Sequence, residues 1–205
     1  MPGIARLDVG RFRDRIVGFK KSYISAWQLW VSVLKSQRNV ASCFGLVLRR
    51  WQACRPNRMR RPKGEAKHSP PYLEDLIAEA NAPVLTLRAF DMRLEAAFTP
   101  QAQRALEQLW NIFERLSYHG RARNGLAGAV GISKAVLLLT EGRVGPAFDS
   151  KVRSELGISA PENAREWIQA LWVTSRDIRA FEAANQCTLQ DAAPPCFADL
   201  RSGRI

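Results

Sequence analysis

Apolar residues recur three or four positions apart through most of the chain, the spacing that lines one face of an α-helix. Phe12, Ile16 and Phe19 follow Asp8 in this way and predict a first amphipathic helix to about Lys21, with Arg11, Arg13, Arg15 and Lys20 on its other face. Ile24, Trp27, Trp30, Val33 and Leu34 predict a second helix. Asn39 reads as the cap of a third, Val40 to Cys54, with Phe44, Leu46, Val47, Leu48 and Trp51 turned inward. Ser69-Pro70-Pro71 opens a fourth through Tyr72, Leu73, Leu76 and Ile77. Pro83 to Phe90 fits helix or strand, and helix is favoured because a lone strand has nothing to pair with; Asp91 has no evident role. Thr99-Pro100 is a cap followed by a proline at the first helical position, and it starts the clearest helix, carrying Ala102, Leu106, Leu109, Trp110, Phe113 and Leu116 up to Tyr118. Ser159-Ala160-Pro161-Glu162 opens a long helix through Trp167, Leu171, Ile178 and Phe181, after which the last twenty residues read as irregular wrapping. The pattern predicts an all-α protein.

Between these helices the stretch from Leu126 to Gly157 has a different character. Gly125, Gly128 and Gly131 fall within seven residues, and glycine accepts positive φ and close backbone approach, so a tight hairpin is expected there. Ile132 to Leu139 then holds good helix formers with no breaker before Gly142, which predicts a helix starting near Gly131 with its free N–H groups turned towards the hairpin. Such an N-terminus is suited to an anion. The Gly145-Pro146-Ala147-Phe148 turn delivers Asp149 to the start of another helix that stops at Gly157.

In so basic a chain the expected anion is a nucleic-acid phosphate. The 205 residues carry a net charge of +12, and 46% hydrophobic content with six tryptophans is that of a folded chain. Residues 1–67 hold sixteen Lys or Arg against three acidic residues, while the remaining fifteen basic residues are outnumbered by sixteen acidic ones, so the excess is N-terminal. Arg49 to Lys67 is a basic arm without apolar period, in which Arg55, Arg58, Arg60, Arg61 and the lysine of Lys63-Gly64 are candidate phosphate contacts. Cys43, Cys54, Cys187 and Cys196 form no Cys-x-x-Cys pair, and with two histidines there is no zinc spacing; neither metal nor cofactor is expected. The longest apolar run, Ile24 to Leu34, is too short and too interrupted to cross a bilayer, and a soluble cytoplasmic monomer with reduced thiols is expected.

Gly131-x-x-x-Ala135 in a helix after a glycine hairpin, then Pro146-x-x-Asp149-x-x-Val152 and a closing Leu156-Gly157, resembles the helix-hairpin-helix DNA glycosylases. The family's Leu-Pro-Gly-x-Gly hairpin reads Ala127-Gly128-Ala129-Val130-Gly131, without its proline. The resemblance implies a two-lobed helical bundle with a DNA-binding cleft, here a basic N-terminal lobe (1–67) and a lobe carrying the hairpin (68–205) within one glycosylase-like domain. It implies that Asp149 is the catalytic aspartate, that Gly128, Gly131, Ser133, Arg121 and Arg123 face double-stranded DNA, and that a flipped base is removed to leave an abasic site. Ser133 falls where lyase-competent members carry lysine, which points to a monofunctional enzyme, while Lys134 one position on keeps lyase activity open.

The base must leave the stack and enter a pocket of aromatic side chains, for which Tyr118, His119, Trp110, Trp27 and Trp51 are the candidates. A weaker similarity is to bacterial anti-phage glycosylases that excise glucosylated hydroxymethylcytosine. The competing expectation is a non-enzymatic helix-hairpin-helix DNA-binding protein in which Asp149 is only a helix cap.

Overall fold

The computed structural model describes residues 3–17, 21–36, 38–53, 72–116 and 126–193. Within them the chain forms α1 (Val9–Val17), α2 (Lys21–Ser36), α3 (Val40–Arg50), α4 (Leu73–Thr86), α5 (Pro100–Phe113), α6 (Ala129–Leu139), α7 (Ser150–Leu156), α8 (Ala164–Asn185) and α9 (Leu189–Ala192), with single 3-10 turns at Ile4–Arg6 and Glu95–Ala97 and no strand. The protein is all-α. No described helix is long and apolar enough to cross a membrane.

The strongest sequence signals give the expected elements. Thr99 Oγ1 accepts from the Ala102 amide at 3.1 Å, and α5 buries Ala102, Ala105, Leu106, Leu109, Trp110 and Phe113 along one stripe. It ends at Phe113, short of Tyr118. Asp149 caps α7 and Gly157 closes it in the left-handed region at φ 66°.

Other ends differ, each for a local reason. Asn39 precedes α3 in the left-handed region and makes no side-chain cap, and the helix stops at Arg50, before Cys54. α4 runs through Pro83 to Thr86 although an interior proline lacks the N–H for a bond to the preceding turn and crowds its carbonyl; the ring is buried. α8 begins later than Ser159-Pro161 suggests. Asn163 accepts from the Glu166 amide at 3.0 Å and Glu166 reaches back to the Glu162 amide at 2.8 Å and to Asn163 Nδ2 at 2.9 Å, a reciprocal cap stronger than the upstream serine. α9, in the stretch expected to be irregular, is started by Thr188 and Asp191 capping each other's amides.

α6 lies at the centre. Every residue from Gly131 to Val136 is buried, as expected of a helix that is apolar almost all round. α5 packs on it from one side and the α2–α3 pair from another, where Trp30 Nε1 donates at 2.8 Å to the Leu138 carbonyl, which also accepts from the Glu141 amide at 3.0 Å. One hydrophobic cluster, from Ala26 in α2 to Leu171 in α8, takes residues from both sides of the basic arm.

A second, small cluster of Leu7, Phe12, Phe181 and Ala192 joins the N-terminal segment to α8 and α9. The Ile4 and Ala5 amides donate to the buried Asp177 carboxylate at 2.7 and 3.0 Å, and Arg13 Nε donates to the Ala192 carbonyl at 2.9 Å. Arg6 and Arg15 both donate to Glu155 Oε2, at 2.9 and 3.0 Å, which ties this N-terminal segment to α7 as well.

Candidate active site

The central helix presents two adjacent polar residues to the interior, and they do different work. The Ser133 hydroxyl is 1% exposed; it donates to the Ala129 carbonyl at 2.6 Å and accepts from the Phe148 amide at 3.0 Å. That second bond fastens α6 to the turn leading into α7. The next residue on each side of it is a candidate catalytic group, Lys134 on the helix and Asp149 on the turn.

Lys134 is 4% exposed, and its ammonium donates to the Trp51 carbonyl at 2.6 Å and lies 5.5 Å from the centre of the Tyr23 ring. A buried ammonium is tolerated only with such partners, because a bare charge in the interior carries a heavy desolvation cost. The Trp51 carbonyl follows the last turn of α3, where helix carbonyls lack their own amides, so the lysine also completes that helix end.

Tyr23 joins these groups. Its hydroxyl donates to the same Trp51 carbonyl at 3.3 Å while the Trp51 indole N–H donates to the Tyr23 carbonyl at 3.3 Å. The Trp51 ring lies nearly parallel to Tyr23, 5.9 Å away, and to Trp27, 6.1 Å away. Burial and, behind it, the negative charge of Asp149 push the Tyr23 phenol above its ordinary 10.0, so it remains a neutral donor at physiological pH. Asp149 is therefore within electrostatic reach of Tyr23. Its Oδ1 accepts from the Val152 amide at 3.0 Å, and its other carboxylate oxygen makes no hydrogen bond among the described residues.

Lys134 and Trp51, both singled out from the sequence, thus meet at one residue that was not, Tyr23, while Trp27 stacks on Trp51 and the charge of Asp149 reaches the Tyr23 phenol. The available signal was its place one turn before Trp27 on α2. Trp51 is 5% exposed and serves as the inner ring of the stack, while Trp27 is half-buried and lies beside Gly142, on the connection that leads to Asp149. α3 ends in exposed Arg49 and Arg50 just before Trp51, and exposed Lys151 follows Asp149 closely on α7, so cationic side chains adjoin the cluster along the chain.

The remaining assignments separate. Trp110 is 4% exposed and packs 5.8 Å from the Trp167 ring in the core, which removes it from the candidates for a base pocket. Ser133 is likewise corrected from a DNA contact to an internal fastening, since its hydroxyl is spent inside the protein. Gly131 is buried inside α6, which starts at Ala129, earlier than expected; Gly128 is its exposed N-cap with φ −83°, so neither glycine is used for positive φ. The Ala127 amide donates to the Glu114 carbonyl at 2.7 Å, which brings the end of α5 next to the start of α6. Tyr118, His119, Arg121, Arg123, Arg55, Arg58, Arg60, Arg61 and Lys63 lie outside the described residues. Asp91, without a role in the sequence reading, accepts from Arg93 Nε and Nη2 at 3.0 and 2.6 Å.

Among the described residues no group of three or more His, Cys, Asp or Glu could hold a metal ion. Of the four cysteines, Cys43 and Cys187 are described, and both are free thiols. In comparisons with known proteins, no family model, no curated protein and no solved structure matches the chain.

Proposed function

We propose that the protein is a DNA glycosylase that hydrolyses the N-glycosidic bond of a flipped, modified base, with Asp149 as the catalytic carboxylate. The observation that supports this most is the buried lysine set against the parallel rings of Tyr23 and Trp51, on a helix whose Ser133 holds the Phe148 amide immediately before Asp149. Breaking the C1′–N bond sends its electron pair to the base and leaves an oxocarbenium-like sugar, which a nearby carboxylate stabilises. Water adds at C1′ and gives a proton to Asp149, the departing base anion takes up that proton and returns Asp149 to its carboxylate form, and the products are the free base and an abasic site.

In this reading double-stranded DNA lies in a cleft between residues 1–67 and 68–205, gripped by the basic arm and by Gly128 at the start of α6. The enzyme acts as a cytoplasmic monomer and is chiefly monofunctional. Of the aromatic candidates, half-buried Trp27 is retained and joined by half-buried Tyr23 as the surface against which the base rests, while Trp110 and Trp51, 4% and 5% exposed, stand behind it. A hypermodified cytosine of phage DNA, and hence a role in antiviral defence, is the substrate suggested by the weaker resemblance.

A second reading, a DNA-binding protein without catalysis, is favoured by the Asp149 Oδ1 bond to the Val152 amide, which is all that a helix cap needs. Asparagine caps as well as aspartate, so Asp149→Asn separates the two. DNAs carrying normal, damaged and hypermodified bases are incubated with each protein and then heated in alkali to break abasic sites. The glycosylase reading requires breaks on at least one modified substrate with the wild type and none with Asp149→Asn at unchanged DNA affinity. Absence of breaks on every substrate leaves the binding protein.

A further inference from the structure

We propose that Tyr23 is a positioning residue that holds the Lys134 ammonium on the Trp51 carbonyl and so withholds its amine from the sugar of an abasic site. Three observations carry this. The ammonium is buried 2.6 Å from that carbonyl, it sits 5.5 Å from the centre of the Tyr23 ring, and Tyr23 fixes Trp51 by an exchanged pair of side-chain-to-main-chain bonds at 3.3 Å. A cation over an aromatic face is held more strongly the more it is desolvated. The ring over the ammonium is what Tyr23→Leu removes and Tyr23→Phe keeps, whereas the main-chain carbonyl of residue 23 that receives the Trp51 indole N–H survives either change, so loss of the ring loosens the ammonium while Trp51 stays in place. Ser133, the neighbour that fastens α6 to the Asp149 turn, is untouched by such a change.

The positioning itself does not depend on the chemistry; its consequence for DNA rests on the glycosylase reading above. A released Lys134 that loses its proton attacks the C1′ aldehyde carbon of the ring-opened abasic sugar, and water leaves to form an iminium. A C2′ proton then departs, and its electron pair expels the 3′-phosphate and cuts the strand. Tyr23 thus sets the balance between leaving an intact abasic site and cutting it.

The test has one arm that needs no activity. Full-length protein is reductively methylated with formaldehyde and a borane reductant, and the rate at Lys134 is compared by mass spectrometry with that at exposed Lys151. Lys134 should react far more slowly in the wild type, about tenfold faster in Tyr23→Leu, and near the wild-type rate in Tyr23→Phe, which keeps the ring. Equal rates at Lys134 and Lys151 in the wild type overturn the proposal without any variant, as does equal protection of Lys134 in wild type and Tyr23→Leu.

The second arm gives the same proteins pre-formed abasic DNA without alkali. Strand cutting by Tyr23→Leu but not by the wild type or by Tyr23→Leu/Lys134→Arg is expected. A released lysine that cuts nothing, in a protein whose wild type excises bases, overturns the control of cutting. A released lysine with no base excision by the wild type on any substrate sinks the glycosylase reading and leaves the positioning role standing.

Discussion

Replacing Ser133 with alanine tests what the buried hydroxyl does. The Phe148 side chain is fully buried, and its amide donates to Ser133 Oγ at 3.0 Å. Alanine removes that acceptor and leaves a buried N–H unpaired, a cost of about 1–3 kcal/mol. Alanine is also a better helix former than serine, which returns roughly 0.5 kcal/mol. The net loss of about 0.5–2.5 kcal/mol lowers the urea midpoint by roughly 0.25–1.25 M if the unfolding slope is near 2 kcal/mol per molar. Urea unfolding followed by tryptophan fluorescence measures it, and titration of labelled duplex DNA run alongside should show affinity unchanged. A midpoint within about 0.2 M of the wild type, or weakened DNA binding at an intact midpoint, refutes the fastening role and restores Ser133 as a surface contact.

Two further outcomes follow from the N-terminal segment. Gly3 has φ 95°, and a Cβ there would stand 2.3–2.5 Å from the Asp177 carboxylate, so Gly3→Ala should detach the first turn; exchange of the Ile4 and Ala5 amides should rise at least about tenfold, while exchange in α6 stays unchanged. Hydrogen exchange that is unaltered at Ile4 and Ala5 counts against the anchoring. The hydrogen bond from Arg15, together with the charges of Arg15 and Arg6, holds the Glu155 carboxyl below its ordinary 4.5. A lowered acid pKa favours the folded state above the unfolded value and loses that contribution as pH falls through the folded one. The melting temperature of the wild type should accordingly drop more steeply below about pH 4.5 than that of Glu155→Gln, and parallel profiles would rule out a contribution from this pair.

The fold class was legible because α5 and α7 carry both their apolar period and their own start and stop residues. Where two signals compete within a few residues the choice is made by geometry the sequence does not display. Asn39 and Asn163 are the same residue type before a helix, yet one is left-handed and idle while the other caps. The place of Asp149 at a helix start was legible from the turn before it, whereas Trp110 and Trp27 look alike in sequence and part only when the core closes around the first. Tyr23 was missed because its significance lies in contacts with residues 28 and 111 positions away along the chain.

The embrace of Asp177 around the Ile4 and Ala5 amides spans 173 and 172 residues. During synthesis the first turn and α1 therefore leave the ribosome long before α8 supplies either the carboxylate or Phe181, against which Phe12 packs at 4.9 Å. Until then Leu7 and Phe12 stand without their native cover, beside a run of arginines that keeps the nascent segment in solution. Docking of the N-terminal segment thus waits until α8 has been made, and the central helix can be packed against α3 and α5 before the segment that braces α7 has found its place.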